Sequence, residues 1–128
     1  MPHELAKPTN AELEILTVLW SIGPATVREV YEAINRRRPA QYSTTLKFMQ
    51  IMANKGLLRR DEKQRAHVYE AVKSQAWTQR QLAGDLLERA FGGSPKALLV
   101  GALSARKATK EELAELLKLL DEYKRGQK

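Results

Sequence analysis

The sequence predicts a mainly α-helical protein: a winged helix-turn-helix domain, made of three helices and a β-hairpin wing, followed by a helical dimerisation region. Three observations predict it. Helix-start signatures with apolar residues at helical spacing behind them recur along the chain, one strand-type stretch interrupts them after Gly56, and positive charge concentrates where the helices give way to that stretch. The winged domain is expected over residues 1–73 and the dimerisation region over residues 74–128.

Thr9-Asn10-Ala11-Glu12 has the form of a capping box, in which the Thr hydroxyl accepts the amide three residues on and the Glu carboxylate accepts the cap amide. Leu13, Leu16, Leu19 and Trp20 follow at helical spacing, and Gly23-Pro24 ends the first helix. A second box, Thr26-Val27-Arg28-Glu29, opens a helix with Val27, Val30, Tyr31 and Ile34 on its apolar face. That helix runs into Arg36-Arg37-Arg38 and breaks at Pro39. The third helix is expected from about Ser43 to Lys55-Gly56, where glycine takes the left-handed cap. Residues 57–60 and 66–72 read as two short strands joined by the charged segment 61–65.

The pattern then returns to helices. Residues 75–91 carry Trp77, Leu82, Leu86, Leu87, Ala90 and Phe91 before Gly92-Gly93 stops them. Ser94-Pro95 suits the N-cap and first turn of a short helix to Leu103. Thr109-Lys110-Glu111-Glu112 is a third capping box, followed by Leu113, Leu116, Leu117, Leu120 and Tyr123, and residues 125–128 are expected to fray.

With 43% hydrophobic and 29% charged residues, the chain has the composition of a folded soluble protein. Its longest apolar run, residues 97–103, falls far short of the ~20 residues a bilayer span requires, so no membrane insertion is expected. Met1-Pro2-His3-Glu4 shows no basic flank leading into an apolar stretch, so no secretory signal is expected. Cysteine is absent, which excludes disulfides, thiol catalysis and Cys-based metal sites and fits a reducing cytoplasm.

The net charge of +7 is local. Residues 33–67 hold nine basic side chains, Arg36, Arg37, Arg38, Lys47, Lys55, Arg59, Arg60, Lys63 and Arg65, against only Asp61 and Glu62. The remainder carries thirteen of each sign. Such concentration is the footprint of a polyanion binder, and double-stranded DNA is the expected partner.

At about 100° per residue, the third helix separates Leu46, Phe48, Met49, Met52 and Ala53 from Ser43, Thr44, Lys47, Gln50, Asn54 and Lys55. Gln and Asn pair with adenine edges, Lys donates to guanine, and Ser or Thr meets a phosphate or a base. Ser43, Thr44, Thr45, Lys47, Gln50 and Asn54 are therefore candidate DNA contacts. Ile51 has two readings, a partly buried edge residue or a contact with a thymine methyl group. Arg36 and Arg38 either complement the dipole at the end of the second helix or meet phosphates. Arg59 and Arg60 alternate faces on a strand, so at most one should face DNA. Lys63 and Arg65 at the wing tip are placed for phosphate or minor-groove contact.

The leucine stripe after Thr109 must be covered, either within the chain by Leu98, Leu99 and Leu103 or by a second copy. A homodimer is expected, because two-fold pairing matches the symmetry of operator half-sites. The candidate dimerisation residues are Leu98, Leu99, Leu103, Leu113, Leu116, Leu117 and Leu120.

In order, Ala11-Glu12-Leu13-Glu14, Leu19-Trp20, Thr26-Val27-Arg28-Glu29-Val30, Tyr42-Ser43-Thr44-Thr45-Leu46, Lys55-Gly56-Leu57-Leu58, Arg65 with Val68-Tyr69, Phe91-Gly92-Gly93-Ser94, Glu111-Glu112-Leu113 and Leu119-Leu120-Asp121 form a series. It resembles the penicillinase-repressor (BlaI/MecI-like) family of bacterial winged-helix regulators, from about Thr9 to Tyr123. The resemblance implies a homodimeric repressor on a palindromic operator, paired through the C-terminal helices and controlling resistance or stress genes. For its best-known members it also implies a membrane metallopeptidase sensor that triggers cleavage of the repressor. Three positions depart from the family. Copper-responsive relatives carry a C-terminal Cys cluster that is missing here. The Asn-Phe pair of cleavable members would fall near Gly101-Ala102, and many relatives have Arg where Ile51 stands.

An enzyme is the contrary class. His3 and His67 lie far apart, and no phosphate loop, metalloprotease motif or nucleophile–base pair is present. Glu111-Glu112 is accounted for by helix capping, so no catalytic residue, cofactor or metal is expected. A winged-helix protein-interaction module without DNA binding is the other alternative. The localised charge separates the two, since a neutral docking surface has no need of it.

Overall fold

The computed structural model describes residues 7–126, so that His3 lies outside the described residues. The elements run α1 (Asn10–Ile22), β1 (Ala25–Thr26), α2 (Val27–Asn35), α3 (Tyr42–Asn54), β2 (Leu58–Asp61), β3 (Val68–Ala71), α4 (Gln75–Phe91), α5 (Pro95–Ala105) and α6 (Lys110–Lys124). Three helices followed by a hairpin give the winged helix-turn-helix order.

All three capping boxes close in both directions, Thr9 with Glu12, Thr26 with Glu29 and Thr109 with Glu112. Ser94 Oγ accepts the Ala97 amide at 3.0 Å and opens α5. Each box satisfies two donors that a helix start would otherwise leave orphaned, which is why these boundaries are readable in the sequence. At the end of α3, Gly56 takes φ +87°, its amide donates to Ala53 and the Leu57 amide donates to Met52. That pairing is a Schellman motif, and it turns the chain sharply from the third helix into the wing.

The hairpin pairs β2 with β3 in antiparallel register, from Leu58 opposite Ala71 to Asp61 opposite Val68. β1 adds a third strand on the other edge of β3, with Ala25 opposite Tyr69 and Thr26 opposite Val68. Sequence patterning did not indicate β1, because two residues are too few to show alternation. Its consequence is positional. Thr26 is at once a strand residue and the N-cap of α2, so the start of α2 is tied to the wing.

The core lies where three helices meet the sheet. Ile15, Leu16 and Leu19 of α1, Val30 and Ile34 of α2, Met49 and Met52 of α3, and Leu58 and Tyr69 of the hairpin are all buried. Trp20 packs against this core and donates its indole N–H to the Lys73 carbonyl at 3.0 Å, pinning the segment that leads into α4. Among the described residues, no buried side-chain N or O lacks a hydrogen-bond partner.

The chain divides into two compact units between Leu82 and Ala83, within α4. In the first unit, α4 begins with the Ser74 hydroxyl accepting the Trp77 amide, and Thr78 is buried. In the second, neither α5 nor α6 holds a buried residue. A Cβ added at Gly101 would stand 3.2 Å from the Phe91 ring, so the missing side chain lets α5 approach that ring. Among the described residues, no helix is long and apolar enough to cross a membrane.

Candidate nucleic-acid interface

α3 presents its two faces as its sequence demands. Met49 and Met52 are fully buried, Leu46, Phe48 and Ala53 pack against the core, and Ser43, Thr44, Lys47, Gln50 and Asn54 are exposed. Ile51 is 38% exposed, enough for its side chain to meet a partner from outside. Thr45 requires a correction. Expected among the DNA contacts, it is only 5% exposed and its hydroxyl donates to the Gln41 carbonyl at 3.2 Å. Its spacing from Met49 and Met52 puts it on the same turn-to-turn row of the core face. That spacing was the signal in the sequence.

The nine clustered cations separate into two groups. Four are paired with carboxylates. Arg38 makes a two-point grip on Glu14, with Nε 3.1 Å from Oε2, while another of its nitrogens donates to the Pro39 carbonyl. This guanidinium holds the Glu14 carboxyl below its ordinary pKa. Arg38, for which the sequence left helix-end charge complementation and phosphate contact both open, fastens the segment after α2 to α1 in the free chain. Lys55 Nζ lies 2.9 Å and 3.0 Å from the two oxygens of Glu12. Arg59 reaches its cross-strand partner Glu70 at 3.5 Å. Arg60 pairs with Glu62 at 2.6 Å, and the neighbouring Tyr69 side chain and the Glu62 carboxylate raise its pKa. Neither strand arginine is therefore a free cation.

The second group, Arg36, Arg37, Lys47, Lys63 and Arg65, is exposed and takes part in none of the ion pairs found among the described residues. Arg36 is the C-cap of α2. Lys63 sits in the wing turn, where its amide donates to Asp61 Oδ1 at 2.9 Å and tightens the tip.

The wing and α3 border one cleft of about 240 Å³, lined on its polar side by Gln50 of α3, Arg65 and His67 of the wing, and Arg28 of α2. In the sequence Arg28 and Tyr42 stand only within a capping box and the family series, with no contact role of their own. The guanidinium of Arg28 lies 4.7 Å from the centre of the Tyr42 ring and 5.9 Å from that of Tyr31, and the two rings meet edge to face at 5.8 Å. Arg28 and Tyr31 stand three residues apart on α2, an interval the sequence shows, whereas Tyr42 joins them only because the start of α3 lies beside α2. Among the described residues, no group of His, Cys, Asp and Glu could hold a metal ion.

In the second unit, Leu98, Leu99 and Leu116 are half-buried, while Leu103, Leu113, Leu117 and Leu120 are exposed. Leu117 reaches 69% exposure, and Val100, Leu119 and Tyr123 are further exposed apolar side chains there. Leu119 falls beside Leu116 and Tyr123 on the helix wheel, so the stripe is wider than its regular leucine spacing suggests.

Comparison with known proteins places this architecture. The sequence model of the penicillinase repressor family matches residues 8–122. The transcriptional regulator BlaI of Mycobacterium tuberculosis is 35% identical over 99 residues, which cover 76% of this chain and 72% of that protein. The penicillinase repressor of Bacillus licheniformis is 22% identical over 120 residues, covering 94% of each. Among solved structures, the DNA-binding domain of the repressor BlaI superimposes with a TM-score of 0.51 at 20% identity, over 57% of this chain and 89% of that domain.

Proposed function

The chain belongs to the penicillinase-repressor family, and from that premise we propose that it is a transcriptional repressor that binds operator DNA through α3 and the wing. The observation that carries the reading is the cleft in which Gln50 of α3, Arg65 of the wing and Arg28 of α2 converge. A helix bearing amides, hydroxyls and an ammonium suits base edges in a major groove, and the flanking cations suit the phosphates on either side. Four of the nine clustered cations being paired lowers the count available to DNA, so the salt dependence should report the unpaired ones.

The functional form we propose is a homodimer on a palindromic operator, with residues 1–73 binding DNA and residues 74–128 pairing the copies. The support is that α5 and α6 bury no residue in the single chain while exposing Val100 and Leu103 on α5 and Leu113, Leu117, Leu119 and Leu120 on α6. A cytoplasmic location belongs to the same proposal. A membrane metallopeptidase sensor, implied by the family resemblance, would have to act on a chain that carries Gly101-Ala102 within α5.

Selection of bound fragments from genomic DNA with the purified protein will define the half-site and its spacing. Titration against that site should then give an affinity that falls steeply as salt rises from low to physiological concentration. No binding at low salt overturns the reading.

Individual contacts divide by their chemistry. Gln50→Ala should cost about 1–3 kcal/mol and relax preference at one base pair. Lys47→Ala distinguishes its two possible targets, since loss of a phosphate contact weakens all sequences alike whereas loss of a guanine contact does not. Ile51→Ala should change affinity at a single thymine position. Binding of all three variants indistinguishable from the parent across a panel of operator mutants would remove α3 as the reading helix.

A further inference from the structure

We infer that Arg28, at the start of α2, is a DNA-phosphate contact presented by an aromatic support formed by Tyr42 and Tyr31; this rests on the DNA-binding reading and names a residue and a role within it. The argument begins with how the guanidinium is held. Arg28 stands 4.7 Å from the Tyr42 ring centre and 5.9 Å from that of Tyr31. Contact with ring faces is electrostatic and leaves the N–H donors at the edge of the guanidinium unspent. Among the described residues no ion pair or hydrogen bond is found for those donors, and the residue is exposed. An arginine oriented by aromatic rings with its donor edge free is prepared for an anion that offers two oxygens side by side, as a phosphodiester does.

The surroundings set which anion. Arg28 shares its cleft with Arg65 and His67 of the wing and with Gln50 of α3, so three elements deliver polar or cationic groups to one mouth. The N-terminus of α2 adds the partial positive end of a helix. The carboxylate in the same turn, Glu29, is engaged by the Thr26 amide at 2.9 Å and by the Thr26 hydroxyl. A duplex whose groove receives α3 and whose backbone passes the wing therefore brings a phosphate to this mouth. Tyr42 is a positioning residue here, since it is the first residue of α3 and couples the placement of that helix to the orientation of Arg28.

The test is operator titration at several salt concentrations with Arg28→Ala, Tyr42→Phe and Tyr42→Leu. Arg28→Ala should weaken binding about fivefold to tenfold, equally for matched and mismatched sites, and make the log–log salt slope shallower by about one. Tyr42→Phe keeps the ring and should behave as the parent, whereas Tyr42→Leu should reproduce part of the Arg28→Ala loss. A role confined to packing would instead lower thermal stability and leave the slope unchanged. Should Arg28→Ala fold poorly, Arg28→Gln keeps a long polar side chain and should give the same shallower slope. Binding by the parent protein with an unaltered slope in the Arg28 variants overturns this assignment alone. No salt-dependent binding by the parent overturns the DNA reading with it.

Discussion

Replacing Leu117 and Leu120 by aspartate is expected to leave the protein monomeric and to weaken operator binding about a hundredfold to ten-thousandfold, the gain that linking two binding modules supplies. The two side chains are 69% and 51% exposed in the single chain, so the substitution disturbs little within it. In the proposed homodimer their value is realised only across a two-fold interface. Each buried leucine contributes about 1.5–3 kcal/mol, both copies contribute, and a carboxylate placed there instead must be desolvated. Once the copies separate, each winged domain meets one half-site alone and the second contact ceases to be intramolecular. Sedimentation and operator titration on the same sample test this directly, with circular dichroism confirming that helices persist. A variant that remains dimeric with parental affinity would show that α6 is not the pairing surface.

The second large effect concerns stability. Lys55→Met should destabilise the winged domain by about 2–3 kcal/mol, somewhat below the cost usual for breaking a fully buried pair because Lys55 keeps about a third of its side chain in solvent. Glu12 is what makes the loss large. Its side chain is only 3% exposed, and it accepts hydrogen bonds from the Thr9 amide at 3.0 Å and from Lys55, joining the start of α1 to the end of α3. Without Lys55 the carboxylate stays buried with two of its three hydrogen bonds removed. Burial pushes the Glu12 pKa up, but the Lys55 ammonium and the Thr9 amide outweigh it, and the net shift is downward. A depressed folded pKa means the stabilisation is present above the unfolded value and disappears as pH falls through the folded one. Urea unfolding should therefore show the difference between parent and Lys55→Met shrinking in acid. In a double-mutant cycle, Glu12→Gln should recover part of the loss in the Lys55→Met background. Equal urea midpoints for parent and Lys55→Met at neutral pH would deny the pair any structural role.

These two effects mark where local and non-local information part. The capping boxes at Thr9, Thr26 and Thr109, the left-handed Gly56 and the Ser94-Pro95 start were legible because each closes hydrogen bonds within a few residues. The winged order followed from those signals together with the change from helical to strand periodicity, and the leucine stripe of α6 from helical spacing. Lys55 was different. It belongs by spacing to the polar face with Lys47 and Gln50, yet its ammonium is spent on a carboxylate 43 positions away. Arg38, Arg59 and Arg60 were counted in the basic tract for the same reason, since a sum over sequence does not know which charges find partners in space.

Sequence by itself determined the elements, their order and the sign of the charge around the third helix, because hydrogen-bond closure and side-chain periodicity act over a single turn or strand. Only the tertiary structure decided which cations remain available and that Ala25-Thr26 becomes a strand beside β3. It also decided that Arg28 and Tyr42 meet. Contacts between remote segments depend on how the helices pack on the hairpin, and that packing is specified by the whole buried set rather than by any residue's neighbours in the chain.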